Sequence, residues 1–312
     1  MTEIVSYEDV KAAAKRIGPY VRPVTLTRPG KSLWFALEYL QHAGSFKARG
    51  AANFITAHME AGTMPRAGVV IASGGNAGLA VAWAAARLGM PATVFTPTTS
   101  PAVKVDRIRA LGTDTFLVGT EYAEALAASR EYAAEFGALL SHAYDHPLVA
   151  AGAGTLFDEI KRTEPRLDTV IVACGGGGLF AGVAAAAYQH GVRVVAVEPT
   201  GCPTLHAAIE AGRPVQVGVD SIAADALGAR LVTPAALHWA RESNASAVLV
   251  PDEAIIAARR TLWDEHRIVV EHSAAASYAA LLSGAYRPAP GERVCAVLCG
   301  ANTDPSDLVV RA

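Results

Sequence analysis

The sequence predicts an α/β fold whose parallel sheets are covered by helices on both faces. Three observations carry this. Short β-branched apolar runs recur along the chain, alanine-rich segments with helical spacing separate them, and glycine clusters stand where the strands should end. Neither an internal repeat nor a low-complexity linker interrupts the alternation.

The expected strands are VVIAS (69–73), ATVFT (92–96), TFLVG (115–119), DTVIVAC (168–174), RVVAVEP (193–199) and RVCAVLC (293–299). Each is too short for a helix and rich in Val, Ile or Phe, residues that fit a pleated surface. The expected helices include NAGLAVAWAAARLG (76–89), AEALAASREYAAEFG (123–137) and LFAGVAAAAYQHG (179–191). Their alanine content suits close helix packing and by itself says nothing about function.

The chain has 312 residues, 52% hydrophobic and 18% charged, with a formal net charge of -2. That is a globular profile with room for a sizeable core, not a disordered one. It carries no basic excess, so nucleic acid is not an expected partner. No apolar run reaches membrane-spanning length and the N-terminus lacks a signal-peptide core, so a cytoplasmic protein without membrane association is expected. Four cysteines, at 174, 202, 295 and 299, have no zinc-type spacing, and disulfides are not expected.

Three glycine-rich turns follow strands: SGGNAG (73–78), CGGGG (174–178) and CGAN (299–302). Ligands in parallel α/β sheets collect beyond the carboxyl ends of strands, so the three turns suggest one shared site. CGGGG leads into a helix, where close backbone approach and free N–H groups suit phosphate. It lacks the nucleotide P-loop pattern and the usual dinucleotide fingerprint, and a plain tight turn would look similar. In SGGNAG, Ser73 and the helix start can hold a carboxylate. Asn76 can bond a ligand hydroxyl or phenolate, although taken alone it reads as a helix cap. Cys299 is a pocket thiol with no nucleophile partners around it. Finally, GSFKARGA (44–51) puts Lys47 in an apolar setting. Most lysines are solvated; one held in a pocket can form a Schiff base. Together the lysine, phosphate loop, carboxylate cradle and thiol match what pyridoxal 5'-phosphate and an amino-acid substrate require.

With those motifs in place, the sequence resembles the pyridoxal-phosphate enzymes of the tryptophan synthase β type (fold type II), specifically the serine/threonine dehydratases. LEYLQHAGSFKARGA is similar to the lysine motif S-F-K-x-R-G-A. SGGNAG, YDHPLVAAGAGT (144–155), CGGGGL, VEP (197–199), VEHSAAA (270–276) and LCGAN follow in family order over nearly the whole chain. The resemblance implies two domains, each with a largely parallel twisted sheet flanked by helices. A large cofactor-binding domain would comprise 1–44 plus 147–312. A small mobile domain, 45–146, would carry the substrate-carboxylate loop. Lys47 would carry the cofactor and act as catalytic base, with Phe46 near the ring. Asn76 would bond the cofactor's phenolic oxygen, and Cys299 would face its pyridine nitrogen. Gly175, Gly176, Gly177, Gly178 and Leu179 would bind phosphate. Ser73, Gly74, Gly75, Asn76 and Ala77 would bind the substrate carboxylate. Glu198 would sit beside a monovalent cation such as potassium. A homodimer is implied as well.

Departures refine the reading. Ala77 and Cys299 replace the histidine and serine of the commoner threonine pattern, and SIAADALGAR (221–230) also resembles the serine dehydratase branch. Gly74 stands where racemases place a serine, which disfavours racemisation. Thr204 stands where a divalent site would have an acid. His272 replaces the proline of V-E-P, next to Glu271, which would orient the cofactor region. With no regulatory segment after residue 312, isoleucine feedback is not expected. The expected reaction is dehydration and deamination of L-serine or L-threonine. The alternatives are a threo-3-hydroxyaspartate dehydratase using His142, His146 or Arg49, a racemase, a β-replacement enzyme, and a non-catalytic binding protein.

Overall fold

A computed structural model describes residues 4–100 and 102–309. Ten strands form in chain order: β1 (Leu26–Thr27), β2 (Leu33–Ala36), β3 (Val69–Ala72), β4 (Ala92–Thr96), β5 (Asp114–Leu117), β6 (Leu139–Leu140), β7 (Thr169–Ala173), β8 (Arg193–Pro199), β9 (Ser246–Val250) and β10 (Val294–Val297). They make two sheets. One has six strands in the order β1-β2-β10-β7-β8-β9 and the other four in the order β5-β4-β3-β6. Every pairing is parallel except β1 with β2.

All six expected strands and all three expected helices are present, with ends shifted by one or two residues. Strands β7 and β10 stop at Ala173 and Val297, so the cysteines once expected to finish them, Cys174 and Cys299, lie in the turns instead. Strands β1, β2, β6 and β9 went unrecognised. β1 and β6 have two residues each and carry no periodicity to read; β9 had a legible signal in its AVLV run.

Strands β3, β4, β7 and β10 are buried along their full length, as expected of strands covered on both faces. One apolar cluster underlies the six-stranded sheet, with Phe35, Ile171, Val195 and Phe180 at its centre. A second, smaller one surrounds β3 and β4 and recruits Ile17, Val21 and Val149 from outside the segment that forms the four-stranded sheet. Alanine-rich helices let backbones approach closely: a Cβ on Gly182 would lie 2.0 Å from Ala150 O, and one on Gly152 2.5 Å from Arg49 O. The helices Lys47–Glu60 and Pro147–Thr163 therefore pack tightly, and this fixes the base of the helix that begins at Lys47. No helix among the described residues is long and apolar enough to cross a membrane.

Candidate active site

The lysine motif is stitched to the far end of the chain. Phe46 N donates to Cys299 O at 2.9 Å, Ser45 bridges Gly300, and Ala301 N donates to Gly44 O at 2.9 Å. Lys47 thus starts its helix directly over the turn that follows β10. Arg49 locks the same helix from below. It is fully buried, and its guanidinium pairs with Glu38 at 2.5 Å and Glu159 at 2.8 Å and donates to Thr155 Oγ1. It is therefore spent inside the protein and does not face a substrate, unlike the role weighed for it from sequence.

Lys47 is half-buried overall, and its Nζ donates to Ala143 O at 2.7 Å. It lies 4.9 Å from the Phe46 ring centroid. Burial pulls its pKa down to about 8, against the opposing pull of Cys299 and Glu271. The same burial pushes the Cys299 thiol up, helped by Glu271, so the thiol stays neutral.

A small cavity around Lys47 is lined by Phe46, Tyr144, Gly178 and Leu179, which joins the amine to the tetraglycine turn. Every residue from Cys174 to Phe180 is buried. Gly177 caps the helix Gly178–Gln189 with φ 92°, the left-handed region that favours glycine. A Cβ there would meet Ala236 Cβ at 2.4 Å, and one on Gly176 would meet the Tyr144 ring at 2.3 Å. Only glycine fits this cradle, and it ends on helix N–H groups without intrahelical acceptors. An amine shifted towards neutrality beside a phosphate-type cradle fits pyridoxal phosphate.

The turn after β3 is more open, with Ser73, Gly74, Gly75 and Asn76 only half-buried. Ser73 Oγ accepts from Gly75 N at 3.3 Å. Gly75, not Asn76, caps the helix Asn76–Leu88, and Ala77 is buried in its first turn. That frees the Asn76 amide: it donates to Glu271 at 2.8 and 3.1 Å and accepts from Asn302 Nδ2 at 2.7 Å. Glu271 also accepts from Ser273 Oγ at 2.7 Å, and burial raises its pKa. Sequence reasoning missed Asn302 and the full reach of Glu271, since partners 195 and 226 residues from Asn76 leave no local signal.

Gly74 lacks more than a side chain. A Cβ there would lie 2.2 Å from Thr96 Oγ1 and 2.8 Å from Ser100 Oγ, which bond each other at 2.6 Å. Glu198 is buried, with both carboxylate oxygens engaged. It accepts from Thr204 Oγ1 at 2.9 Å, Leu205 N at 2.7 Å and His206 N at 2.8 Å. Thr204 Oγ1 also lies 2.6 Å from Gly175 O, so this cluster braces the tetraglycine turn. His146 caps the helix Pro147–Thr163 through Nδ1. His142 Nδ1 accepts from Asp145 N at 2.9 Å, next to the carbonyl that holds Lys47.

Residues 18–300 match the family described as pyridoxal-phosphate dependent enzyme. The chain belongs to that family. It is 37% identical over 284 residues to an L-threonine ammonia-lyase of Geobacter sulfurreducens, covering 90% of this chain and 70% of the relative. It is 33% identical over 315 residues to a serine dehydratase-like protein of Mus musculus, covering 93% and 94%. The structure of maize serine racemase superimposes with a TM-score of 0.90 at 29% identity, covering 98% of this chain and 96% of that one. The protein is thus an α/β pyridoxal-phosphate enzyme of fold type II.

Proposed function

We propose that the protein is an ammonia-lyase that dehydrates and deaminates a β-hydroxy amino acid, with L-serine and L-threonine as the first substrates to test. One observation carries this reading: a lysine amine, drawn down to about pKa 8, shares a cavity with a buried glycine cradle and feels Glu271, which holds the Asn76 amide at a second, half-open helix start. Relatives named for threonine ammonia-lyase and serine dehydratase support the substrate class.

Pyridoxal phosphate supplies the electron sink that acidifies the substrate Cα–H. The chain supplies the rest. The turn 174–178 and Leu179 would hold the phosphate through backbone N–H groups. Ser73 and the first N–H groups of the helix Asn76–Leu88 would hold the substrate carboxylate. Asn76, clamped between Glu271 and Asn302, would present its second amide hydrogen to the phenolic oxygen. Lys47 Nζ takes the α-proton, which requires the neutral amine that burial favours. The Cα–H electrons form a Cα–Cβ double bond, the Cβ–O bond breaks, and the hydroxyl leaves as water with the proton that Lys47 Nζ took from Cα. Hydrolysis then yields a 2-oxo acid and ammonia. Cys299, a neutral thiol, does not supply a proton to a ring nitrogen placed beside it, which favours prompt loss of the leaving group. The filled space at Gly74 supports elimination over racemisation, since a second acid/base serine there would meet Thr96 and Ser100.

We further infer that residues 45–146 move as a lobe against 1–44 plus 147–312 and exclude water on closing. The Lys104–Asp225 pair at 2.6 Å supports this reading, because it joins the four-stranded side to the six-stranded side. A cytoplasmic location is supported by four free, buried thiols, and a homodimer by the family resemblance. Turnover with potassium and without it tests a cation beside Glu198. The main test is release of 2-oxo acid and ammonia from L-serine, L-threonine and threo-3-hydroxyaspartate. Equimolar products from L-serine or L-threonine are expected; inversion at Cα without either product would overturn the reading.

A further inference from the structure

A second cavity, about 630 Å³, opens beside the Asn76 network and leads outward between the two sheets. It does not include Lys47. Its inner end is Glu271, Ser273 and Asn302, the groups that clamp Asn76 or hold that clamp. Farther out it is faced by Val103 from one side and by Ile222, Ala223 and Ala226 from the other. Val103 is 67% exposed and Ile222 43% exposed, so two large apolar side chains flank the opening with much of their surface in water. A serine hydroxymethyl or a threonine methyl is far smaller than this space, which lies in the size range of pockets that enclose whole small-molecule ligands.

The charged groups do not favour an anionic side chain. Lys104 is paired with Asp225, and the lining carries Asp304 and Glu271 as well as Arg107, so it has no net positive charge. His272 also lines the cavity, and burial lowers its pKa, so it presents a neutral ring. It is the residue that replaces the proline of the V-E-P pattern. Its backbone place still suits proline: it is the first residue of the helix His272–Leu282, and Glu271 before it is extended at φ -72°, ψ 160°. The exchange therefore changes what faces the cavity while leaving the chain path suited to either residue.

We propose that this cavity is the substrate side-chain subsite, that it takes a β-hydroxy amino acid with a bulky apolar β-substituent of ring size, and that His272 is a specificity-determining residue within it. The ring would lie between Val103 and Ile222 with the imidazole against it, a contact aromatic pairs favour in edge or offset geometry. The proposal rests on the dehydratase reading for its chemistry and on the cavity for its selectivity.

Two measurements on the holoenzyme separate these. The first is equilibrium binding of L-phenylalanine against L-alanine, neither of which has a β-hydroxyl to lose. The second is kcat/KM for threo-3-phenylserine against L-serine. L-phenylalanine should bind at least about tenfold tighter, the scale on which an apolar pocket discriminates added carbons. Ala226→Trp, at an exposed position that a larger side chain can occupy without unfolding the protein, should lower the phenylalanine-to-alanine affinity ratio at least about tenfold. His272→Pro should lower it about threefold to tenfold. Equal affinity for the two amino acids, or a ratio unmoved by Ala226→Trp, overturns the proposal. Tighter binding of L-aspartate than of either overturns it too, assigning the cavity to dicarboxylates. If the phenylalanine preference holds and no β-hydroxy amino acid yields a 2-oxo acid, the subsite stands and the dehydratase reading falls.

Discussion

Two turns in this molecule share one plan, strand to glycines to helix, and differ in their surroundings. The turn after β7, residues 174–178, is buried throughout, and its glycines would collide with Leu227, Tyr144 and Ala236 if they carried side chains. The turn after β3 is half-open over residues 73–76; although Gly74 is crowded by Thr96, a Cβ on Gly75 would meet nothing closer than Ser73 Oγ at 4.0 Å. A rigid, enclosed cradle suits a ligand that stays; an open one suits a ligand that comes and goes. On the proposed reading, the cofactor phosphate would take the first turn, which shares a cavity with Lys47, and the substrate carboxylate would take the second.

The largest expected effect comes from removing the lysine beside the buried turn. Lys47→Ala should lower turnover by more than about 10⁴-fold, since it takes away both the attachment point and the base. Substantial residual activity would break the assignment. The same lysine gives a pH signature. A protonated amine cannot attack an aldehyde, so capture of pyridoxal phosphate by the apoprotein should rise with pH through about 8. An ordinary lysine would place that rise near 10.4, roughly, and a rise there would show that Lys47 is not desolvated.

Next comes the buried turn. Gly177→Ala forces a left-handed residue and a 2.4 Å contact with Ala236, and should cost about 2–4 kcal/mol of stability together with much of the cofactor affinity. Gly75→Ala in the open turn has negative φ and free space, so it should cost no more than about 1 kcal/mol and act mainly on KM. Thermal unfolding and cofactor titration of both variants sharpen the comparison, and equal losses would erase it. Between these lies Asn302→Ala. It leaves the Asn76 amide held from one side only, and should weaken cofactor binding about tenfold with a stability loss of about 1–2 kcal/mol. The smallest expected effect on the reaction's outcome is a gain that should not happen: Gly74→Ser should lower stability through its contact with Thr96 and produce no measurable racemisation, because Thr96 and Ser100 occupy the direction its side chain would take.

Much of this was legible in the sequence because it is local. A glycine run after a β-branched strand, or a lysine amid apolar neighbours, carries its chemistry in consecutive residues. Strands β1 and β6 were not legible, for two residues cannot show a period. Nor was the fate of Arg49, which reads as an available base until Glu38 and Glu159 are seen around it. Asn76 shows the boundary most clearly. Its neighbours suggest a helix cap, while its actual partners, Glu271 and Asn302, come from the other end of the chain. His272 is the converse case: a visible departure from pattern that has a physical setting only once it is seen to line a cavity.

On the proposed reading, Lys47 seats the cofactor beside the buried glycine turn. Borohydride reduction of the holoprotein fixes the cofactor to its lysine, and peptide mass spectrometry then locates it among the six lysines of the chain. The added mass is expected on the peptide that contains Lys47. Its appearance on another lysine, or on none, would rule out Lys47 as the cofactor's attachment point.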